Sequence, residues 1–142
     1  MTTIIFVSVL PPKVLHLQNE RGRGVVLGVF VLSSEIVIMK RGQFFFIPLE
    51  DIYYSERLDQ NTNINCKNNI ISVRIPLKKI EEMLPNNFVR SHRSFIINKT
   101  LLRELIKQDE NNYEAYFSNM DKTALVSKMY FDKIFSEEIF SN

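Results

Sequence analysis

One short polar run, residues 90 to 94, combines the side chains best suited to contact a nucleic acid. Arg90 and Arg93 can fork to a guanine edge or to a phosphate, His92 can donate or accept a hydrogen bond, and Ser94 can donate to a phosphate oxygen. An isolated Arg-Ser-His-Arg-Ser string is more often an ordinary surface loop. The surrounding sequence therefore has to decide between these two interpretations.

The apolar residues on both sides of the run predict how it is held. Phe88 and Val89 precede it, and Phe95, Ile96 and Ile97 follow it. Burial of both flanks would fix the polar centre against the surface of a hydrophobic core. The rest of the chain must supply that core.

Length and composition indicate one folded domain. The chain has 142 residues, of which 45% are apolar and 11% aromatic, including eleven Phe. This composition excludes a disordered tail and suits a strand-rich protein. With 18 basic and 16 acidic residues, the net charge of +2 is too small to indicate a nucleic-acid partner by itself.

Cysteine content and hydropathy favour a cytoplasmic protein. Cys66 is the only cysteine, so no intrachain disulfide can form and a disulfide-stapled secreted scaffold is disfavoured. The two most apolar early runs, Ile4–Leu10 and Val25–Leu32, are shorter than the roughly 18 to 20 residues that cross a bilayer. The sequence therefore predicts no membrane span.

Hydrophobic periodicity predicts mostly strands. Residues 1–35 read as an N-terminal extension, irregular or with short strands. From Ile36 onward, apolar runs separated by turn residues predict three hairpins, over residues 36–47, 64–75 and 101–117. The polar stretch 57–63 is expected to be a loop.

Two short helices are expected as well. Leu77, Ile80 and Leu84 recur at helical spacing between two prolines, so they predict an amphipathic helix whose Lys and Glu residues form a solvated face without a functional role. Ser127 is a candidate N-cap for a closing helix that runs to about Phe140.

Four blocks in this order resemble the LytTR-type DNA-binding domain of bacterial transcription regulators. They lie between about residues 36 and 134 and are Ile47–Glu56, Ile75–Leu84, Phe88–Lys99 and Leu125–Ile134. The most specific of them is His-Arg-Ser-Phe at 92–95, followed by two apolar residues and Asn98.

The resemblance implies a mainly β domain over residues 36–135, with hairpins packed as small sheets and two short helices, followed by an acidic tail over 136–142. It implies sequence-specific binding of double-stranded DNA, with loops entering successive major grooves at promoter-proximal direct repeats. No cofactor is implied. Residues 1–35 are too few for the receiver domain that many family members carry, so a separate signalling protein is the expected input, and a second copy is expected on DNA.

The resemblance also implies three DNA-binding surfaces. The first follows the strand that ends near Glu56, the second is the polar run, and the third is the start of the closing helix. Their members are Arg57, Asn61 and Thr62; Arg90, His92, Arg93 and Ser94; and Ser127, Lys128 and Met129.

Within the second surface, Arg93 matches a base-contacting position of the family. Arg90 and Ser94 match phosphate contacts, and His92 either supports the site or contacts DNA.

The third surface departs from the family pattern. Family members typically carry Arg one or two positions after Ser127, whereas this chain has Lys128 and then Met129. Lysine lacks the planar fork that reads guanine, so phosphate anchoring is the role left for Lys128. Simple capping of the helix is the alternative for Ser127.

An enzyme is one rival class, and the sequence does not favour it. Cys66 with His92 or His16 is the only Cys–His option, and nothing near Cys66 indicates an activated nucleophile. Two His and one Cys are too few for the usual zinc sites, and no Gly-rich phosphate loop is present.

Interaction modules are the other rival class. A non-catalytic protein-interaction role needs only a β-rich surface, so it stays open. Stacking of single-stranded nucleic acid on aromatic residues is disfavoured, because Tyr53, Tyr54 and residues 44–46 fall in apolar alternation and are predicted to lie in the core.

Overall fold

The computed structural model describes residues 13–14 and 26–140, which form three antiparallel sheets and two helices. The N-terminal sheet has the order β1-β2-β3-β4, with strands Lys13–Val14 (β1), Val26–Leu32 (β2), Glu35–Lys40 (β3) and Gln43–Pro48 (β4). The middle sheet has the order β7-β6-β5-β9-β8, with strands Ile52–Leu58 (β5), Asn61–Cys66 (β6), Ile70–Val73 (β7), Phe88–His92 (β8) and Phe95–Asn98 (β9). The C-terminal sheet has the order β10-β11-β12, with strands Leu102–Lys107 (β10), Asn112–Phe117 (β11) and Ala124–Ser127 (β12).

Two helices complete the predicted mainly β architecture, which is confirmed. Helix α1 spans Leu77–Met83 and buries Leu77 and Ile80, so the predicted amphipathic helix is confirmed. Helix α2 spans Lys128–Phe140 and agrees with the predicted closing helix. No helix in the described part of the chain is long and apolar enough to cross a membrane.

Strand β9 of the middle sheet is buried on both faces, which explains its continuous apolar run. On β9, Ile96 packs into a core cluster with side chains of the N-terminal sheet and α1, including Ile38 and Ile80. Its neighbours Phe95 and Ile97 point the other way, into a second cluster with the C-terminal sheet and α2. Successive residues of a strand face opposite sides of the sheet, so a strand covered on both faces is apolar throughout.

The predicted hairpins are confirmed, with turns of the expected chemistry. Arg41 and Gly42 connect β3 to β4, and Gly42 has φ +70°, a conformation that costs glycine little. Strand β2 falls within the predicted N-terminal extension. The other expectations for residues 1–12 and 15–25, including His16, lie outside the described residues.

Two expectations about the strands are wrong. Residues 57–63 are not a loop: β5 continues to Leu58, β6 begins at Asn61, and only Asp59 and Gln60 connect them. Most side chains of this end of the hairpin are exposed, whereas Thr62 is buried. Phe44 and Phe46 are not core residues either, since each is 56% exposed and their rings stack at 6.4 Å between centroids.

Candidate nucleic-acid interface

The tip of the β8–β9 hairpin displays the polar run at an edge of the middle sheet. Phe88 and Phe95 on its flanks are buried, while Arg93 at the tip is exposed. Strand β8 is the outermost strand of this sheet, and β9 joins it to β5. Of the predicted polar centre only Arg93 is fully exposed: Ser91 is buried, and Arg90, His92 and Ser94 are partly buried.

Arg90 does not point freely into solvent, because all three of its guanidinium nitrogens donate hydrogen bonds within the protein. Nη1 donates to Glu81 Oε1 on α1 at 2.6 Å. Nε donates to the backbone carbonyl of His92 at 3.0 Å, and Nη2 donates to the carbonyl of Arg93 at 2.8 Å. Glu81, on the predicted solvated face of α1, is 38% exposed and makes this ion pair.

His92 is held by a backbone hydrogen bond and an aromatic contact. Its Nδ1 accepts the backbone N–H of Ser94 at 3.0 Å, and its ring meets Phe95 edge-on at 5.6 Å between centroids. Partial burial lowers the pKa of His92, and the cations of Arg93 and Arg90 lower it further. With Nδ1 acting as an acceptor, the ring proton lies on Nε2, which can serve as a donor.

Ser91 connects this hairpin to the third predicted surface. It is fully buried, and its hydroxyl donates to the carbonyl of Leu125 on β12 at 2.9 Å. Strand pairing shifts register between Arg90 and His92, which marks the irregularity at Ser91. Sequence reasoning missed this bond because its two partners are 34 residues apart and carry no local signal.

The first predicted surface divides into exposed and buried members. Arg57 is exposed, and its backbone N–H donates to the carbonyl of Ser94 at 2.9 Å, so it adjoins the β8–β9 turn. Asn61 is also exposed. Thr62 is 1% exposed, and its hydroxyl donates to the carbonyl of Ile75 at 2.6 Å. A DNA contact by Thr62 is not retained, because its side chain has no surface to offer.

At the third surface, the start of α2 is capped as expected. The backbone N–H of Tyr130 donates to Ser127 Oγ at 3.4 Å. The ammonium of Lys128 lies 3.5 Å from the Asp132 carboxylate, and both side chains are more than half exposed, so this ion pair is weak and Lys128 can exchange to another anion. Met129 is 67% exposed, and its thioether cannot donate a hydrogen bond.

The fold brings parts of all three predicted surfaces onto neighbouring strands. The backbone bond from Arg57 to Ser94 joins the first surface to the second. The bond from Ser91 to Leu125 joins the second to β12, which leads directly into Ser127. Residues separated by up to about 70 positions in the sequence are thus linked through β5, β9, β8 and β12.

Cys66 and the possible metal ligands, the groups considered for catalysis, are not arranged as a reactive site in the described part of the chain. Burial raises the pKa of the Cys66 thiol to about 12, with a further contribution from Asp51, so the thiol is protonated near neutral pH. Among the described residues, no group of His, Cys, Asp and Glu is arranged to hold a metal ion.

Comparison with known protein families identifies a match to one of them. The family model for the LytTr DNA-binding domain matches residues 42–137. The chain belongs to this family. The matched region contains the α1 helix, the β8–β9 hairpin and the start of α2, whereas β1, β2 and β3 precede it.

Curated relatives share this part of the chain. The transcriptional regulatory protein NatR of Bacillus subtilis is 28% identical over 102 residues, which cover 71% of this chain and 44% of that protein. The sensory transduction protein LytT of Enterococcus faecalis is 29% identical over 108 residues, covering 75% and 44%. The transcriptional regulatory protein YpdB of Escherichia coli K12 is 28% identical over 99 residues, covering 68% and 40%. The chain thus spans less than half of each relative.

A solved structure shares the fold. The LytTr DNA-binding domain of a Bacillus cereus protein superimposes with a TM-score of 0.62 at 21% sequence identity, covering 77% of this chain and 98% of that one. At 21% sequence identity this similarity shows that the two proteins share a fold.

Proposed function

We propose that this chain binds specific sequences in double-stranded DNA and acts as a bacterial transcription regulator. The observation that carries the proposal is Arg93, an exposed residue at the tip of a turn. The backbone of this turn accepts hydrogen bonds from Arg90, and its Ser94 N–H donates to His92 Nδ1. Membership of a family of DNA-binding domains supports it. So do the names of NatR and YpdB, which are called transcriptional regulatory proteins.

The proposed division of labour follows the chemistry of each side chain. Arg93 has the free planar fork that reads the O6 and N7 atoms of guanine. His92 offers its Nε2–H to a base or a phosphate, Lys128 binds phosphate as a point charge, and Arg57 extends the cationic surface beside Ser94.

The proposed mode of binding uses turns rather than a recognition helix. The tip of the β8–β9 hairpin and the start of α2 would enter successive major grooves, and promoter-proximal direct repeats would place two copies in line. The DNA-binding unit is proposed to be residues 36–135, with 1–35 and 136–142 as flanking segments.

Selection from randomised duplex DNA tests this proposal. The purified 142-residue chain would be used at two salt concentrations, and the bound fraction would be sequenced. Enrichment of a short motif that persists at the higher salt is expected, because base contacts survive screening better than phosphate contacts. Retention of DNA with no motif, lost as salt rises, would contradict sequence-specific regulation.

A protein-interaction role is the second candidate. It is favoured by Phe44 and Phe46, whose stacked rings lie on an edge strand of the N-terminal sheet with more than half of each side chain exposed. Selection without a motif would move this candidate ahead.

A further inference from the structure

We propose that Glu81 and Arg90 form a clamp that sets the DNA selectivity of this chain by fixing the turn that carries Arg93. Arg90 is then a positioning residue and not a phosphate contact. The inference rests on the proposed function, and it assigns a role to Glu81, whose position on α1 gave no sign of one.

The geometry of Arg90 fits this role. Its Nε and Nη2 donate to the carbonyls of His92 and Arg93, at 3.0 and 2.8 Å. These carbonyls belong to the two peptide groups on either side of the Arg93 Cα. One rigid guanidinium plane therefore fixes the backbone before and after the residue proposed to read the base.

Glu81 in turn fixes the guanidinium. Its Oε1 accepts from Arg90 Nη1 at 2.6 Å, and the Arg90 side chain is 21% exposed. Glu81 stands on a helix whose Leu77 and Ile80 are 2% and 1% exposed in the core. The chain of contacts therefore runs from the core through α1, Glu81 and Arg90 to the turn.

The charges in this arrangement argue against direct phosphate binding by Arg90. The carboxylate of Glu81 compensates its charge, and no guanidinium nitrogen is left without an acceptor. A phosphate could reach only the remaining N–H of Nη1 and of Nη2, on a side chain that is 21% exposed. Arg93 lies in the turn between β8 and β9. Among the described residues, its guanidinium makes no comparable set of hydrogen bonds.

Four variants separate a positioning role from a phosphate contact. Arg90→Lys keeps the charge and removes the fork, and Arg90→Ala removes both. Glu81→Gln removes the carboxylate charge, and Glu82→Gln makes the same charge change at the exposed neighbouring position. Each would be titrated with the duplex selected by the wild type and with a scrambled duplex, over a series of salt concentrations.

Positioning predicts a specific pattern of affinities. Arg90→Lys and Glu81→Gln should each lower the ratio of specific to scrambled affinity by about tenfold, on the scale of one lost base contact. Glu82→Gln should leave that ratio unchanged. The dependence of log K on log salt should keep its slope in Arg90→Ala. Rescue of binding by Arg90→Lys, with a slope smaller by about 0.9 in Arg90→Ala, would overturn the proposal in favour of a phosphate contact.

A measurement on the free protein keeps this inference distinct from the proposed function. Amide exchange and chemical shifts of residues 92–94 should change in Glu81→Gln, with faster exchange of the Ser94 amide that donates to His92, and should stay as in wild type in Glu82→Gln. An undisturbed turn in Glu81→Gln would refute the clamp. Absence of any selected motif for the wild type would refute the proposed function instead, whatever the turn shows.

Discussion

At the scale of single residues, the exposed cations Arg93 and Lys128 differ in what they can recognise. A guanidinium donates two parallel hydrogen bonds in one plane, which matches a guanine edge, whereas an ammonium is a point charge that any phosphate satisfies. Arg93 is therefore suited to reading a base, and Lys128 is suited to binding phosphate in any sequence. Met129 adds neither, because its exposed thioether cannot donate.

Removing Arg93 should reduce discrimination between DNA sequences. Arg93→Ala is expected to cost about 1–3 kcal/mol at the selected site and to relax preference at one position. Lys128→Ala should weaken binding to all duplexes about equally and reduce the salt slope by about one unit. Fluorescence anisotropy with selected and scrambled duplexes measures both effects. Arg103→Ala on β10, an edge strand of the C-terminal sheet, is the matched control, and equal affinity of Arg93→Ala and wild type for the selected site would refute base reading.

The neutral imidazole of His92 should make stability depend on pH. Its folded-state pKa lies below the usual value of 6.5, so the unfolded chain binds the proton more readily. The stability contributed by neutral His92 is therefore present above about pH 6.5 and is lost as the pH falls through the lowered pKa. Urea unfolding at pH 7.5 and 5.5 should show a smaller pH effect in His92→Gln than in wild type. An identical loss in both would show that other groups cause it.

At the scale of elements, Asn98 joins the interface hairpin to two other parts of the fold. It is 2% exposed at the end of β9. Its Nδ2 donates to the carbonyl of Ile52 on β5 at 2.9 Å, and its Oδ1 accepts from Thr100 N and from Asn87 Nδ2, both at 3.0 Å. The family-like Asn of the polar block is thus structural: it supports the hairpin and does not face outward.

Asn98→Ala should therefore destabilise the fold without changing the surface of the interface. The change leaves the buried carbonyl of Ile52 without this partner, and we expect a loss of about 1–3 kcal/mol in the free energy of unfolding. Asn87→Ala, which removes only a half-buried amide, should cost about 0.5–1.5 kcal/mol. Urea titrations of both variants give the comparison, and a smaller loss for Asn98→Ala than for Asn87→Ala would contradict this account.

Local patterns predicted elements well and contacts poorly. The hairpins and both helices follow from alternation, helical spacing and turn residues, all of which are local. The connection between β5 and β6 was misjudged because strand pairing continues through polar residues, and the one buried among them, Thr62, is satisfied by a hydrogen bond to the carbonyl of Ile75. Glu81 and Ser91 were missed because their partners lie on other elements, and only the folded chain brings those together.

At the scale of the whole molecule, the proposed DNA-facing residues and the exposed Phe pair lie on different sheets. The former lie on the middle sheet and at the end of β12, and the latter on β4 of the N-terminal sheet. The family match begins at the β3–β4 turn, so most of the N-terminal sheet precedes it. A contact made by Phe44 and Phe46 would therefore involve a different sheet from the proposed DNA surface.

This separation bears on how two copies assemble. Direct repeats place copies head to tail, so we expect a monomer in free solution and two copies on a duplex that carries two motifs about one helical turn apart. Sedimentation velocity of the protein alone, with a one-motif duplex and with a two-motif duplex, distinguishes these states. Moving the second motif by half a turn should abolish cooperative binding, because the copies then lie on opposite sides of the DNA. A stable dimer without DNA would contradict the expectation. Its loss in Phe44→Ser would place the contact at the exposed rings of the N-terminal sheet.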